Sequence, residues 1–329
     1  MEKKIYFFEN SEIDKIIKLK INLFIKAEIL AAICRLNTLS IIKRAGSGHI
    51  GTSFSAMDLF IWVKLFRFKT PKNKLRDLNR NIFFSSKGHD APALYSVLFV
   101  QKIISLKKIL KLRRLGGLDG HPDVSIPGIE SNTGSLGMGI SKAKGILWTK
   151  KYLKKSGNVV VMVGDGEFQE GQIFEALQTT AHQNLNDLIV IMDHNKVQSS
   201  QYVKKIIDLK DLKEKIKSFG WHVERCDGHN FKKINTIFSK FQKIKNKPKF
   251  LIADTIKGKG VDFMEHTKVM KLNKYYNWHA GAPDDFNFQK AQLILLNKIE
   301  VLLKKRKINK LNIINVASKK VEKINIEIH

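Results

Sequence analysis

The sequence predicts an α/β fold, a parallel twisted sheet with helices on both faces. Three observations carry this. First, the apolar runs Val159–Val163 and Leu188–Met192 flank a helical pattern in which Ile173, Leu177 and Ala181 recur every four residues, the signature of a βαβ unit. Second, further short apolar runs at Arg80–Ser85, Trp221–Cys226 and Phe250–Thr255 alternate with helical stretches, as layered α/β domains do. Third, both runs of the βαβ unit end in polar loop residues, Gly164-Asp165-Gly166 and His194-Asn195-Lys196. Parallel strands release such residues on one edge, where α/β sheets bind ligands.

Neighbouring strands lie roughly 4.8 Å apart, so Asp165 and Asn195 leave that edge close enough to share a ligand. A carboxylate, an amide oxygen and one backbone carbonyl, that of Val197, suit Mg²⁺, which takes few protein oxygens and leaves positions for phosphate. Gly166 lets a phosphate approach the backbone, and the following helix points its N-terminus there. A turn with a solvated Asp165 and a turn-forming Asn195 is the plainer account of Gly-Asp-Gly taken alone. Gly164, Gly166 and Gly171 are not spaced as GxGxxG, and no GxxxxGK[ST] is present, so this stretch is neither of the two commonest phosphate loops.

Taken in order, residues 1–45 read as a polar leader and then a helix, with Ile21, Phe24, Ile25, Ile29, Ile33 and Leu36 at helical steps. The loop GSGHIG presents His49, and Thr52, Ser53 and Ser55 offer caps for a helix running to Phe66. SSKGHD places His89 between the strand at Arg80–Ser85 and another helix, GGLDGHPD presents His121, and SNTGSLGMGISKAKG at 131–145 is a small-residue loop that opens a helix. Beyond Ser199 come a helix at Asp208–Phe219, a strand, a helix at Phe231–Lys245, another strand and a loop at 264–278. His279 in WHAGAP follows, then a helix at Gln289–Leu303 and a basic, linker-like tail, Lys304–His329. The main domain is thus residues 46–303. A histidine in any one such loop is ordinarily a surface or capping residue.

The 329 residues carry a net charge of +29, which invites a nucleic-acid reading. The lysines are spread along the whole chain without a recognisable binding motif, which fits a coding bias, so no specific nucleic-acid partner is expected. Two cysteines without a CxxC do not make a disulfide framework, and a cytoplasmic location is expected. Lysines interrupt the apolar stretches near the N-terminus, so neither a signal segment nor a membrane span is expected.

GDGE, EG, EA and DHNK, with Asn195 thirty positions after Asp165, resemble the thiamine-diphosphate signature of transketolases. GSGHIG, SKGH, GHP, TGSLGMGIS, ADTIKGKGVDF and WHAGAP resemble further blocks of that family in the same order, so the resemblance spans nearly the whole chain. Ile50 stands where single-chain members carry proline, which loosens that loop slightly. The resemblance implies thiamine diphosphate and Mg²⁺ as cofactors, with Asp165, Asn195 and the Val197 carbonyl on the metal. It implies Gly134, Leu136 and Gly166 along the cofactor, and His89 and His279 near the diphosphate and the reacting centre. His49 and His121 would hold substrate oxygens and move protons, for which an imidazole titrating near neutrality is suited. Glu170 matches a carboxylate at a subunit contact that couples two cofactor sites, although a first-turn glutamate favoured by the helix dipole explains it equally. Glu167 receives no role.

The blocks match only the first part of a transketolase. The pyrimidine-binding domain, with the glutamate that activates the cofactor, has no counterpart here. The expectation is therefore the N-terminal subunit of a split transketolase, acting on sugar phosphates with a C-terminal partner subunit in a heterotetramer that contains a contact between two copies of this chain. A subunit of another two-chain thiamine enzyme, such as a decarboxylase or specialised ketol transferase, or a non-catalytic basic binding protein on the same fold, are the alternatives.

Overall fold

A computed structural model describes residues 4–316. The chain enters through a two-residue strand, β1 (Tyr6–Phe7), and the helices α1 (Asn10–Lys18), α2 (Leu23–Ala45) and α3 (Ile50–Ile61); α3 runs on into a π-helical turn at Trp62–Arg67. Strand β2 (Ile82–Ser85) leads through α4 (Ala91–Val100), the short α5 (Leu106–Ile109) and α6 (Gly139–Tyr152) to β3 (Val159–Gly164). Then come α7 (Gly171–His182), β4 (Leu188–His194), the small hairpin β5 (Val197–Gln198) and β6 (Gln201–Tyr202), α8 (Val203–Ile206) and α9 (Leu212–Ser218). The chain continues through β7 (His222–Asp227), α10 (Phe231–Lys243), β8 (Lys249–Asp254), α11 (His266–Leu272), α12 (Asp285–Lys304) and β9 (Ile314–Asn315).

Five strands form one parallel sheet in the order β2-β3-β4-β8-β7. The middle strands are buried on both faces, which is why they read as continuous apolar runs. Alternation sends Val160, Met162, Ile189, Ile191 and Leu251 into a core shared with α2, α3, α4, α10 and α12. Val161, Val163, Val190, Met192 and Ile252 enter a second core with α6, α7 and α9. The expected helices on both faces are therefore present. Gly164 pairs with Asp193 across β3 and β4, so the loops carrying Asp165 and Asn195 leave the sheet side by side.

Helix α2 starts at Asn22, whose side chain accepts from the Phe24 amide, and stops at Gly46 in the left-handed conformation, φ 75°. It is buried nearly all round between α3, α4, α12 and β1. The leader is thus part of the main core. The tail also differs from its linker-like reading as far as it is described. Leu311 and Val316 are buried, and β9 pairs antiparallel with β1. Residues 317–329 of that expected tail lie outside the described residues.

Several boundaries move. Asp208–Asp211 is not helical, and Asp211 instead caps α9 with its carboxylate on the Lys213 and Glu214 amides. The expected loop at 264–278 contains α11. Thr52, Ser53 and Ser55 do not cap α3. They lie buried inside it, and His49 occupies the capping position without a side-chain bond. No helix among the described residues is long and apolar enough to cross a membrane.

Phe7 is fully buried, edge-on to Phe99 at 5.3 Å between ring centroids. Phe7→Ala should destabilise the chain by about 3–5 kcal/mol. Urea titration followed by circular dichroism checks this, and an unchanged midpoint would show that the β1–β9 pair is peripheral to stability.

Candidate active site

The site sits at the carboxyl edge of the sheet, where a cleft of about 260 Å³ is lined by His49, His89, His121, His279, Gly134, Leu136, Asp165, Gly166, Asn195 and Val197. These are the expected site residues except Glu170. Glu170 is exposed at the start of α7, outside the cleft, with its Cβ close against Gly137.

Three separate loops are stitched together to bring the histidines near one another. The Gly51 amide donates to the Trp278 carbonyl at 3.0 Å, and the Gly258 amide to the Gly51 carbonyl at 2.9 Å. A Cβ on Gly51 would meet the Trp278 carbonyl at 2.8 Å, so only glycine permits this approach. Gly88 is similarly tight, since a Cβ there would meet Thr133 Oγ1 at 2.1 Å and His121 at 2.9 Å. The ring centroids of His49 and His89 are 5.1 Å apart, and those of His49 and His279 are 5.2 Å apart.

Burial moves all four imidazoles down from the ordinary histidine value. Burial pulls His49 down to about 4, helped by Arg113, His121 and Lys257. Burial pulls His279 down to about 3, with Lys257 and His49 adding to it. His89 lies well below the ordinary value for the same reason, next to Lys87, and His121 is lowered by partial burial and Arg113. At neutral pH the cluster presents neutral rings, which accept or donate hydrogen bonds without adding positive charge. For His49 this corrects the expectation of near-neutral titration drawn from free histidine.

Asp165 is buried, and its carboxylate accepts from the Gly166 amide at 2.8 Å and from the Lys196 amide. Burial and nearby Asp193 raise its pKa despite His194 and Lys257, so the site favours an added cation. Asn195 Oδ1 accepts from the Val197 amide at 3.2 Å, and the Val197 carbonyl accepts from Lys257 Nζ at 2.8 Å. Among the described residues no three His, Cys, Asp or Glu gather as a metal cage. One carboxylate, one amide and one carbonyl instead fit a hard cation that keeps its remaining positions for water or phosphate. His49 Nδ1 and Gln198 Oε1, both on side chains that line the cleft, are buried without partners. Such orphaned atoms are what a bound polar ligand satisfies.

Several residues at this site were not singled out from the sequence. Lys257 is buried, with Nζ also 3.2 Å from the Ser199 carbonyl and 3.3 Å from His279 Nδ1. Burial draws its pKa down to about 7 against the pull of Asp165. Lys87 donates to Thr52 Oγ1 at 2.7 Å and pairs with buried Asp193. Glu167 accepts from Ser86 Oγ, from the Gly137 amide at 2.9 Å and from the Gly164 amide at 3.0 Å. It thereby ties the loop holding Gly134 and Leu136 to the ends of β2 and β3. Arg113 approaches from beside the cleft, 3.4 Å from Ser47 Oγ.

A family profile described as the transketolase thiamine-diphosphate-binding domain matches residues 25–271. The chain is 32% identical over 271 residues to an apulose-4-phosphate transketolase subunit of Phocaeicola vulgatus, covering 82% of this chain and 94% of that one. It is 34% identical over 237 residues to the 6-deoxy-6-sulfo-D-fructose transketolase subunit SqwG of a Clostridium strain, covering 71% and 86%. With human transketolase the identity is 31% over 76% of this chain but 38% of the human protein. Among solved structures, transketolase from Leishmania mexicana matches with a TM-score of 0.71 at 21% identity, over 85% of this chain and 45% of that one. Transketolase from Campylobacter jejuni matches with a TM-score of 0.71 at 22% identity, over 87% and 49%. At that identity the likeness establishes the fold. Both the ordered motifs and the extent of these matches lead to one conclusion: the chain belongs to the transketolase family of transferases, as its N-terminal, thiamine-diphosphate-binding domain.

Proposed function

We propose that this chain is the cofactor-gripping subunit of a two-chain transketolase. It binds thiamine diphosphate with Mg²⁺ and, together with a C-terminal partner subunit, moves a two-carbon ketol unit from a ketose phosphate to an aldose phosphate. The observation that carries this reading is one cleft in which the Asp165, Asn195 and Val197 oxygens meet neutral His49, His89 and His279. Relatives of similar extent are named as transketolase subunits, which supports a partner chain. Glu170, exposed at the start of α7, belongs to this proposal as a contact between two copies of this chain within a heterotetramer. A cytoplasmic location fits the two free thiols, Cys34 and Cys226.

When bound, thiamine diphosphate supplies the electron sink that carbon–carbon cleavage beside a ketone requires. The protein's share is binding, orientation and proton movement. Asp165, Asn195 and the Val197 carbonyl would hold the metal, and Lys257 would add positive charge toward the diphosphate. Gly134, Leu136 and Gly166 would lie along the cofactor, with His89 and His279 near its reacting end. Neutral His49 and His121 would accept protons from substrate hydroxyls or donate hydrogen bonds to a carbonyl oxygen. A low-dielectric floor strengthens each of these contacts once water is excluded.

Three outcomes follow from this reading. Asp165→Ala should abolish Mg²⁺-dependent binding of thiamine diphosphate by titration calorimetry, because it removes the one charged ligand; equal affinities would overturn the metal assignment. His121→Ala should keep cofactor affinity and slow turnover by about 10²–10⁴-fold, and unchanged steady-state kinetics would remove it from the mechanism. The purified chain, given thiamine diphosphate, Mg²⁺, a ketose phosphate and an aldose phosphate, should show no ketol transfer until a C-terminal transketolase subunit is added. Robust turnover by the chain alone would refute the two-chain reading.

A further inference from the structure

We propose that His266 and His229 are positioning residues. Together they fix the main chain at Ile256–Lys257 and so aim the Lys257 ammonium into the cleft. The proposal rests on the reading of that cleft as a diphosphate site. Four consecutive amides after β8 are each bound by a different segment. The Thr255 amide donates to the His194 carbonyl at 3.1 Å, and the Gly258 amide to the Gly51 carbonyl at 2.9 Å. The two amides between them donate to imidazoles: Ile256 to His229 Nε2 at 2.8 Å and Lys257 to His266 Nδ1 at 3.0 Å. His266 also returns its own amide to the Lys257 carbonyl at 2.9 Å, so Lys257 is gripped at both of its backbone polar groups.

Each histidine is itself held. His229 Nδ1 donates to Asp58 Oδ2 at 2.6 Å, and Arg35 grips that carboxylate with two bonds of 3.0 and 2.7 Å. This fixes the tautomer that leaves Nε2 free to accept. His266 is buried, edge-on to Tyr202. Lysine has a long stem with several rotors, so its ammonium is aimed only if the backbone it grows from is fixed. Here Nζ reaches the Val197 and Ser199 carbonyls and His279, three points on the cleft wall. Neither histidine lines the cleft, so each acts through the lysine.

The discriminating substitution is His266→Asn, whose Oδ1 falls where Nδ1 was. His266→Leu fills the space without an acceptor. Amide hydrogen exchange and calorimetric titration with thiamine diphosphate and Mg²⁺ are measured on both variants and on the wild type. The expected result is faster exchange at the Lys257 amide and roughly tenfold weaker binding in His266→Leu. The Thr255 amide should be unchanged, and His266→Asn should be close to wild type in both readouts. Should the leucine variant not fold, His266→Gln, with its acceptor one atom too far out, takes its place. Wild-type exchange at Lys257 in the variant lacking the acceptor, or faster exchange without loss of affinity, would overturn the proposal, as would an asparagine variant as weak as leucine. A wild-type chain that binds no thiamine diphosphate would instead refute the cofactor reading, while the exchange data would still report on the clamp.

Discussion

Asp193 is the point on which the site's geometry depends. It is the penultimate residue of β4, with its side chain fully buried. Lys87 from the loop after β2 and Thr255 from the loop after β8 both donate to it, as do Ser55 from α3 at 2.7 Å and Asn195 at 3.2 Å. One carboxylate thus fastens three segments far apart in sequence to its own strand. Burial alone would raise its pKa, but Lys87 and the hydroxyl donors outweigh that and lower it. A buried charge survives only when its lone pairs are filled, and here they are. Asp90 shows the opposite balance. It lies 3.6 Å from Lys87, its Oδ1 has no partner, and its pKa is pushed up to about 7 by burial, with Asp193 adding repulsion. One lysine between two carboxylates ionises the better-bonded one and leaves the other prone to hold its proton.

That arrangement sets the electrostatics above it. The floor of the cleft has two buried lysines, Lys87, paired with Asp193, and Lys257, whose pKa burial draws down to about 7, and a buried carboxylate without a direct cationic partner, Asp165. Burial is the main reason that the pKa values of His49, His89 and His279 are held down, and the nearby lysines, Lys257 for all three and Lys87 for His89, add to it. A ligand that brings both a divalent cation and a polyanion suits this balance: the cation meets Asp165, and the anion adds negative charge beside Lys257. This is a physical reason for metal and diphosphate to bind together in such a cleft.

The fold was legible because its main strands are long, β-branched and separated by helices of ordinary length. The cleft histidines and the Asp165–Asn195 pair were legible because glycine flanks them or their spacing matches a family pattern. Other features left no such mark. β1 and β9 are two residues each, too short for any period to show. Thr52 and Ser55 look like caps because hydroxyls ahead of an apolar helix usually are, yet α3 is buried on all sides and turns them toward Lys87 and Asp193. Lys87 and Lys257 were hidden by composition, since Lys and Arg make up 59 of 329 residues and a buried lysine reads like any other. Glu167 and Asp193 sit inside motifs whose neighbours drew the attention. His266 falls in a stretch read as loop, where no sequence rule distinguishes an acceptor for a distant amide.

The large positive charge and the charge at the site are separate matters. Lys87 and Lys257 are each buried and held by named partners, oxygen atoms for Lys87 and two carbonyls and His279 Nδ1 for Lys257, so they belong to the fold as much as to any ligand. Several of the remaining lysines make exposed ion pairs, such as Lys217 with Glu214 and Lys304 with Glu300, which contribute little to stability and are screened by salt. Substituting surface lysines would therefore change the long-range field while leaving the cleft's local balance almost untouched, because a few buried contacts at short range outweigh many screened charges at a distance. On the proposed reading, the pull of this site on an anionic ligand depends on where Lys87 and Lys257 are held, and that depends on Asp193, which pairs with Lys87, and on the backbone that carries Lys257.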